Sequence, residues 1–150
     1  MFTRTPRRTT LIAGLAAALS AGLYCTAALA AELTPATPGA QVYIIIPKDG
    51  ATVPQTFKVQ FGLAGMGAAP AGTDLPKTGH HHLLIDAAQL PPLDQPLPSS
   101  STVIHFGGGQ TETQVTLPPG PHTLQLILGD KSHIPFNPPI VSEKISVTVQ

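Results

Sequence analysis

The six residues from Thr56 to Phe61 read TFKVQF, and they alternate polar and apolar side chains without interruption. Successive side chains of a β-strand point to opposite faces, so the alternation predicts one apolar face and one wet face. Phe57, Val59 and Phe61 belong to the apolar face. A strand of this kind is typical of an antiparallel sheet that packs one side on a core.

Six further segments have a similar β character and are separated by turns rich in glycine and proline, while no stretch shows a convincing helical period. These segments are residues 42–46, 80–86, 101–106, 111–117, 122–128 and 143–149. The pattern predicts an all-β fold, an immunoglobulin-like antiparallel β-sandwich of about seven strands. A small Greek-key barrel is the alternative, because strand order cannot be read from the pattern.

The connections between these segments carry their own predictions. Asp49-Gly50 is typical of a tight turn with positive φ, and Gly107–Gln110 is expected to join the strands on either side of it as a hairpin. Residues 62–79 form a long loop of the kind that is usually functional or disordered. Prolines in the segment 87–101 exclude an interior strand there.

Residues 1–30 resemble a secretory signal peptide, with three arginines ahead of an uncharged Ala/Leu/Gly run. Ala28-Leu29-Ala30 fits the A-x-A cleavage rule, so cleavage is expected after Ala30. We therefore expect a periplasmic or secreted protein without membrane association after cleavage. Residues 31–40 are predicted to be a flexible lead-in and residues 41–150 a single β-sandwich domain. Arg7-Arg8 leaves both ordinary unfolded export and twin-arginine export open.

The composition of residues 31–150 excludes several classes of site. They contain no cysteine, which excludes disulfides, iron–sulfur clusters and thiolate zinc sites. They also contain no arginine and only five lysines against eight acidic residues. A net negative domain of this kind has no electrostatic footprint for phosphates, so nucleic-acid binding is not expected.

The histidines are the chemically distinctive feature, since all six lie between His80 and His133. Three of them open the segment GHHHLLID, residues 79–86. In a strand His80 and His82 point to the same face, together with Leu84 and Asp86, and lie roughly 6.5 to 7 Å apart. Two imidazoles at that spacing can reach one metal ion. His81 is instead expected to pack on the other face.

The remaining histidines lie at strand ends or in adjoining loops, where the poles of a sandwich bring segments together. The sequence therefore predicts one histidine-lined pole that holds a divalent metal, Zn or Cu, or a small ligand. Asp86 and Glu112 are candidate carboxylates beside it. The predicted metal ligands are His80, His82, His105, His122 and His133.

Two other functions stay open from the sequence. The protein could be a structural or protein-interaction module of the cell envelope, its histidines hydrogen-bonded to loop backbone without metal. Enzymatic activity is the less favoured hypothesis. The serines at 99–101 lack a nucleophile elbow, and no phosphate-binding helix is predicted to follow Gly107–Gly109. We therefore name no catalytic residue.

Several motifs together resemble the exported bacterial domain-of-unknown-function family 4399 over about residues 41–150. They are Pro47-x-Asp49-Gly50, Phe61–Gly67 (FGLAGMG), the GHHHLLID segment, His105–Glu112 (HFGGGQTE) and the stretch from Pro119 to His133. The resemblance implies an exported single domain and supplies no mechanism. Residues 47–61 are also similar to periplasmic copper carriers of the copper-resistance type. The metal-binding histidine at the mature N-terminus of those carriers has no counterpart in Ala31-Glu32.

Overall fold

Two β-sheets packed face to face make up residues 32–150, which are the residues that the computed structural model describes. The signal peptide predicted for residues 1–30 lies outside them. Within this range the secondary structure is nine strands and no helix. The strands are β1 (Gln41–Ile46), β2 (Ala51–Val53), β3 (Thr56–Ala64), β4 (Gly67–Ala68), β5 (Thr78–Ile85), β6 (Val103–His105), β7 (Glu112–Thr116), β8 (Gly120–Gly129) and β9 (Ile145–Val149).

The strand order identifies an immunoglobulin-like sandwich. The smaller sheet has the order β1-β3-β7, and the larger has β2-β9-β8-β5-β4 with β6 also paired to β5. In chain order these correspond to strands A, B and E in one sheet and C, F and G in the other, as in immunoglobulin domains. The seven predicted strands are all present. The additional strands β2 and β4 are short and pair in parallel with β9 and β5.

The core lies between the sheets and follows the predicted alternation. Phe57, Val59 and Phe61 are buried, at 6%, 0% and 2% exposure, and they face the apolar side chains of β8. On the opposite face of β3, Lys58 and Gln60 both donate to the Glu112 carboxylate at the surface. The turn prediction also holds, since Gly50 has a φ of 75°.

Strand β5 is buried on both of its faces, which is unusual for a strand in a sandwich of this size. Its inner face contributes Leu83 and Ile85 to the core between the sheets. Its outer face contributes Leu84, which packs with Ile127 of β8 and with Leu97 from the proline-rich segment. That segment therefore covers the outside of the larger sheet and makes a second, smaller apolar cluster there.

The predicted hairpin across Gly107–Gln110 is wrong. β6 pairs with β5 in the larger sheet, whereas β7 pairs with β3 in the smaller one. The glycine-rich link must therefore cross between the sheets. Val115 of β7 is buried in the core, where it pairs with Phe57 of β3. A short glycine-rich link can form either a hairpin turn or a crossing between two sheets, so the sequence does not distinguish these two connections.

The long connection between β3 and β5 is held along the edge of the larger sheet. Ala69 N–H donates to the Gly79 carbonyl, and Ala71 N–H donates to the Gly107 carbonyl. The segment predicted as a lead-in is likewise bonded to the domain, since Ala36 and Asn137 are joined by a backbone hydrogen bond of 3.0 Å. In residues 32–150 no helix has the length and apolarity needed to cross a membrane.

Candidate metal centre

The outer face of β5 carries the first two site histidines. His80 is paired with Gly129 and His82 with Ile127 across the β5–β8 ladder, so both imidazoles rise from the sheet on the side away from the core. The alternation of a strand gives this arrangement directly, because His81, Leu83 and Ile85 occupy the alternate positions and pack inside. The expectation that His80, His82 and Leu84 share a face is confirmed.

Two further histidines reach the same place from outside β5. His105 lies directly opposite His82 in the β5–β6 ladder and therefore points to the same face. His133 comes from the loop of residues 130–136, which follows β8. We call His80, His82 and His105 the histidine triad, and residues 130–136 the His133 loop.

The rings of the triad form a nearly equilateral triangle. The ring centroids of His80 and His82 are 4.8 Å apart, and each lies 5.0 Å from the centroid of His105. One ligand nitrogen from each residue lies within 4.8 Å of the other two. His133 lies beside this triangle, 4.6 Å from His105 and 5.0 Å from His80 but 6.2 Å from His82.

Two members of the triad are deeply buried and lack polar partners. His80 and His82 are 1% and 0% exposed, whereas His105 is partly exposed. Nε2 of His80, both ring nitrogens of His82 and Nε2 of His105 are buried without a hydrogen bond. A buried polar atom left unsatisfied costs roughly 1 to 3 kcal/mol, so four such nitrogens gathered at one place call for a ligand.

Glycine makes room for the rings. A Cβ atom on Gly129 would lie 2.9 Å from Cε1 of His82, and a Cβ atom on Gly107 would lie 2.4 Å from Cε1 of His105. Both distances are shorter than side chains tolerate, so each imidazole occupies space that only a glycine leaves open.

His122, predicted to be a fifth ligand, is not at this site. β8 runs antiparallel to β5, so its first residues lie at the far end of β5, where Ile85 pairs with Leu124. His122 also has the parity of the core residues Leu124 and Leu126, so it lies on the other face of the sheet. The predicted convergence at one pole is therefore wrong for His122, because paired antiparallel strands cannot bring their starts together.

The His122 ring is engaged elsewhere. Its Nδ1 lies 2.7 Å from Oδ2 of Asp86 and its Nε2 lies 2.9 Å from the Pro118 carbonyl oxygen. Both partners are acceptors, so two N–H groups are needed and the imidazolium is favoured. The hydrogen bond to Asp86 accordingly raises the pKa of His122, and an imidazolium cannot bind a metal.

The carboxylates predicted beside the site are also elsewhere. Asp86 has a φ of 54°, which ends the strand alternation and turns its side chain to His122 and to the N–H of Thr123. Glu112 lies on the smaller sheet with Lys58. The acidic residue near the triad is Asp130, which shares the sequence Gly-Asp-x-x-His with His133. That spacing is the signal in the sequence that could have placed Asp130 beside the histidines.

The sequence of residues 59–150 matches the family described as "Domain of unknown function (DUF4399)". The chain belongs to the DUF4399 family. The match covers all three triad residues and His133, and its description assigns no activity. No curated protein matches the sequence.

Solved structures similar to this DUF4399 domain are distant. The endo-beta-1,4-mannanase of Thermotoga petrophila is 15% identical with a TM-score of 0.43, and the match covers 74% of this chain and 20% of that one. The fibronectin(III)-like modules of Clostridium thermocellum CbhA are 13% identical with a TM-score of 0.34, and the match covers 73% of this chain and 93% of theirs. At these values neither similarity assigns an activity.

Burial keeps the triad of the DUF4399 domain neutral. Desolvation, reinforced by the neighbouring His105 and His133, lowers the pKa of His80 to about 4, although Asp130 opposes the fall. Desolvation, reinforced by the neighbouring His80, His105 and His133, lowers the pKa of His82 to about 3. The backbone of His80 also lies near the His82 ring, outside hydrogen-bonding geometry. Neutral imidazole is the form that binds metal, so protons compete only weakly at neutral pH.

The dimensions of the triad fit a first-row divalent metal after small ring rotations. Zinc bonds to histidine nitrogen are about 2.0 to 2.1 Å, which places the nitrogens of a tetrahedral site about 3.3 Å apart. The triad nitrogens lie within 4.8 Å of one another, so each must move inward by only a fraction of that distance. Imidazole donors without thiolate suit Zn(II), Cu(II) and Ni(II).

His81 belongs to the core and not to the metal centre. It is 0% exposed, and its ring centroid lies 4.8 Å from that of Phe61. Desolvation lowers its pKa to about 4. Backbone groups of Gln110 and Gly62 lie nearby but meet no hydrogen-bonding geometry at either ring nitrogen. The expectation that His81 packs inward is confirmed.

Proposed function

We propose that this DUF4399 domain is an exported metal-binding module that holds Zn(II) or Cu(II) through His80, His82 and His105. The observation that carries the proposal is the set of four buried, unpaired imidazole nitrogens in the triad. A metal ion bound to one nitrogen of each triad residue would satisfy three of these nitrogens, and neutral, closely spaced imidazoles are the ligands that it needs.

The strands that carry the triad are fixed by the core, which favours a site that forms without metal. β5 contributes Leu83 and Ile85, which follow its two site histidines, to the core between the sheets. Metal therefore adds stability to a domain that is already folded, in contrast to small zinc modules that are unfolded without it. An exchangeable ion suits a binding or carrier role better than a purely structural one.

Calorimetry on the metal-stripped protein with Zn(II) and Cu(II) tests the proposal. We expect binding of one ion. We expect His82→Gln and His105→Ala to weaken binding by more than the roughly 10- to 100-fold that loss of an outer-shell partner costs. His122→Ala is the matched control, because it removes a histidine from the far end of the sheet. Affinity weaker than about 10 μM, roughly 7 kcal/mol, would contradict the proposal.

The export part of the proposal rests on residues 1–30, with their basic start, apolar run and Ala-x-Ala motif. The mass of the protein recovered from the envelope fraction after expression of the full chain tests it. We expect an N-terminus at Ala31. A cytoplasmic protein that retains residues 1–30 would contradict it.

The alternative function is a structural or protein-interaction module whose histidines brace the loops through hydrogen bonds. His122 does make such bonds, to Asp86 and Pro118. The four triad nitrogens make none, which is why we favour the metal function. The alternative gains support if His82→Gln lowers the melting temperature of protein held in chelator while no metal binds to the wild type.

A further inference from the structure

We propose that the metal held by the histidine triad keeps one coordination position for a small anionic ligand from solvent, and that His133 is a displaceable group covering that position. The inference rests on the proposed metal function and specifies what the bound ion does.

The triad can occupy only one side of an ion. All three residues rise from the same face of the larger sheet, His80 and His82 from β5 and His105 from the adjacent β6. Three imidazoles arranged as a triangle leave the coordination directions on the far side open. Zinc sites with three protein ligands and an open fourth position take water or substrate there, whereas structural sites are closed by four ligands.

His133 lies beside the triangle, next to His80 and His105, without completing it. Its ring is near those of His105 and His80 but 6.2 Å from that of His82, and it does not share the close nitrogen spacing of the triad. It is also partly exposed, as is His105, so this side of the site faces solvent. The two buried histidines form the floor of the site.

The backbone of the His133 loop is held by hydrogen bonds, whereas the His133 imidazole is not carried by a strand of the sheet. The N–H of His133 donates to the Asp130 carbonyl, and the His133 carbonyl accepts from Leu97 N–H. Rotation of the ring alone can therefore cover or expose the ion without unfolding the loop.

The conformation of His133 is a second, independent observation. Its φ is 68°, in the left-handed region that favours glycine. Anchoring this turn requires only backbone groups of residue 133, so glycine would form it with less strain. A side chain kept in such a conformation is a sign that the side chain itself has a use.

Azide binding to the Co(II)-loaded protein tests the inference, because visible absorption of Co(II) reports its coordination number and ligands. The protein is expressed as the full chain, stripped of metal and reloaded, and wild type is compared with His133→Gly and His133→Asn. Both replacements tolerate the positive φ, so the loop keeps its turn. We expect azide to bind all three, with an apparent Kd roughly two- to tenfold lower in the variants because a competing ligand has been removed.

The outcomes separate this inference from the proposed function. Co(II) that binds wild type and variants but never responds to azide would overturn the open position and leave the metal site standing. Equal azide affinity in wild type and variants would overturn the role of His133. Failure of wild type to bind Co(II), Zn(II) or Cu(II) would remove both proposals. His122→Ala should behave as wild type throughout.

Discussion

Gly129 sets how closely β8 can approach the His82 imidazole. In Gly129→Ala the new methyl group would lie 2.9 Å from Cε1 and 3.3 Å from Nδ1 of His82. We expect the ring to be displaced, metal affinity to fall by about tenfold or more, and the metal-free protein to lose about 1 to 3 kcal/mol through overpacking. Calorimetry and urea denaturation measure the two effects.

Gly67→Ala is the matched control for that substitution. Its Cβ would meet nothing closer than Cγ2 of Thr78 at 3.7 Å, and its φ is not in the left-handed region. We expect metal affinity and stability close to wild type. An equal loss of affinity in both variants would show that strand glycines matter for some reason other than the space beside His82.

His81 is a buried imidazole without a hydrogen-bond partner at either ring nitrogen, packed against Phe61. His81→Leu replaces it with an apolar side chain of similar size. Because the two unsatisfied nitrogens disappear, we expect the free energy of unfolding to rise by roughly 1 to 3 kcal/mol, with metal affinity unchanged. Denaturation of the metal-free protein at about pH 7.5, above the ordinary histidine pKa, measures it. A clear loss of stability would mean that the core needs the imidazole.

At the scale of elements, Asp130 holds the His133 loop in its turn. Its Oδ1 accepts hydrogen bonds from the N–H groups of Ser132 and Ile134, and its Oδ2 accepts one of 2.6 Å from Oγ1 of Thr34. We expect Asp130→Ala to lower stability by about 1.5 to 3 kcal/mol and to speed amide exchange in residues 130–136. Hydrogen exchange followed by mass spectrometry measures the loop directly.

Thr34→Val separates the contributions of Asp130. It removes one hydrogen bond to the carboxylate and leaves both backbone bonds in place, so we expect a loss of about 1 kcal/mol and little change in loop exchange. If Thr34→Val loosened the loop as much as Asp130→Ala, the turn would depend on the contact with residues 32–36 more than on its own hydrogen bonds.

Strands and their inward faces were predictable because alternation is a local property. The pattern of Thr56–Phe61 and the shared face of His80 and His82 needed only the period of two. The position of His122 was not predictable, because it depends on which strands pair and in which direction. The partner of β6 depends in the same way on a crossing that composition cannot distinguish from a hairpin turn. The position of His105 opposite His82 also depends on strand pairing, so it was not predictable from local alternation.

At the scale of the whole molecule, the buried histidines make the metal-free protein sensitive to acid. Burial places the folded pKa of His80 near 4, of His82 near 3 and of His81 near 4, against an unfolded value of about 6.5. As pH falls below about 6.5 the unfolded chain takes up protons that the folded chain refuses, so stability declines until the folded pKa values are reached. Urea denaturation in chelator between about pH 8 and pH 5 should show this decline.

The variant that changes His80, His82 and His105 to Gln should show a smaller decline, with His81 responsible for most of what remains. His122 acts in the opposite direction. The pKa of His122 is raised in the folded protein. Its contribution to the free energy of unfolding is therefore present below the pKa of the unfolded chain and is lost as the pH rises through the pKa of the folded protein. His122→Gln should therefore steepen the loss of stability on acidification, and a flat profile in the wild type would contradict the burial of the cluster.

The triad takes its histidines from β5 and β6, which are neighbours in the sheet. In the chain these two strands are separated by the proline-rich segment that covers the outer face. An unfolded chain therefore offers a metal only the local pair His80-x-His82, and the three-nitrogen site comes into existence when the sheet is formed. A chain that is threaded through a membrane before it folds must acquire its ion on the far side. Cu(II) outcompetes Zn(II) for nitrogen donors wherever both ions are free. Which ion the site holds therefore depends on which ions are available where the chain folds. The compartment in which the chain folds would then select the metal that it holds.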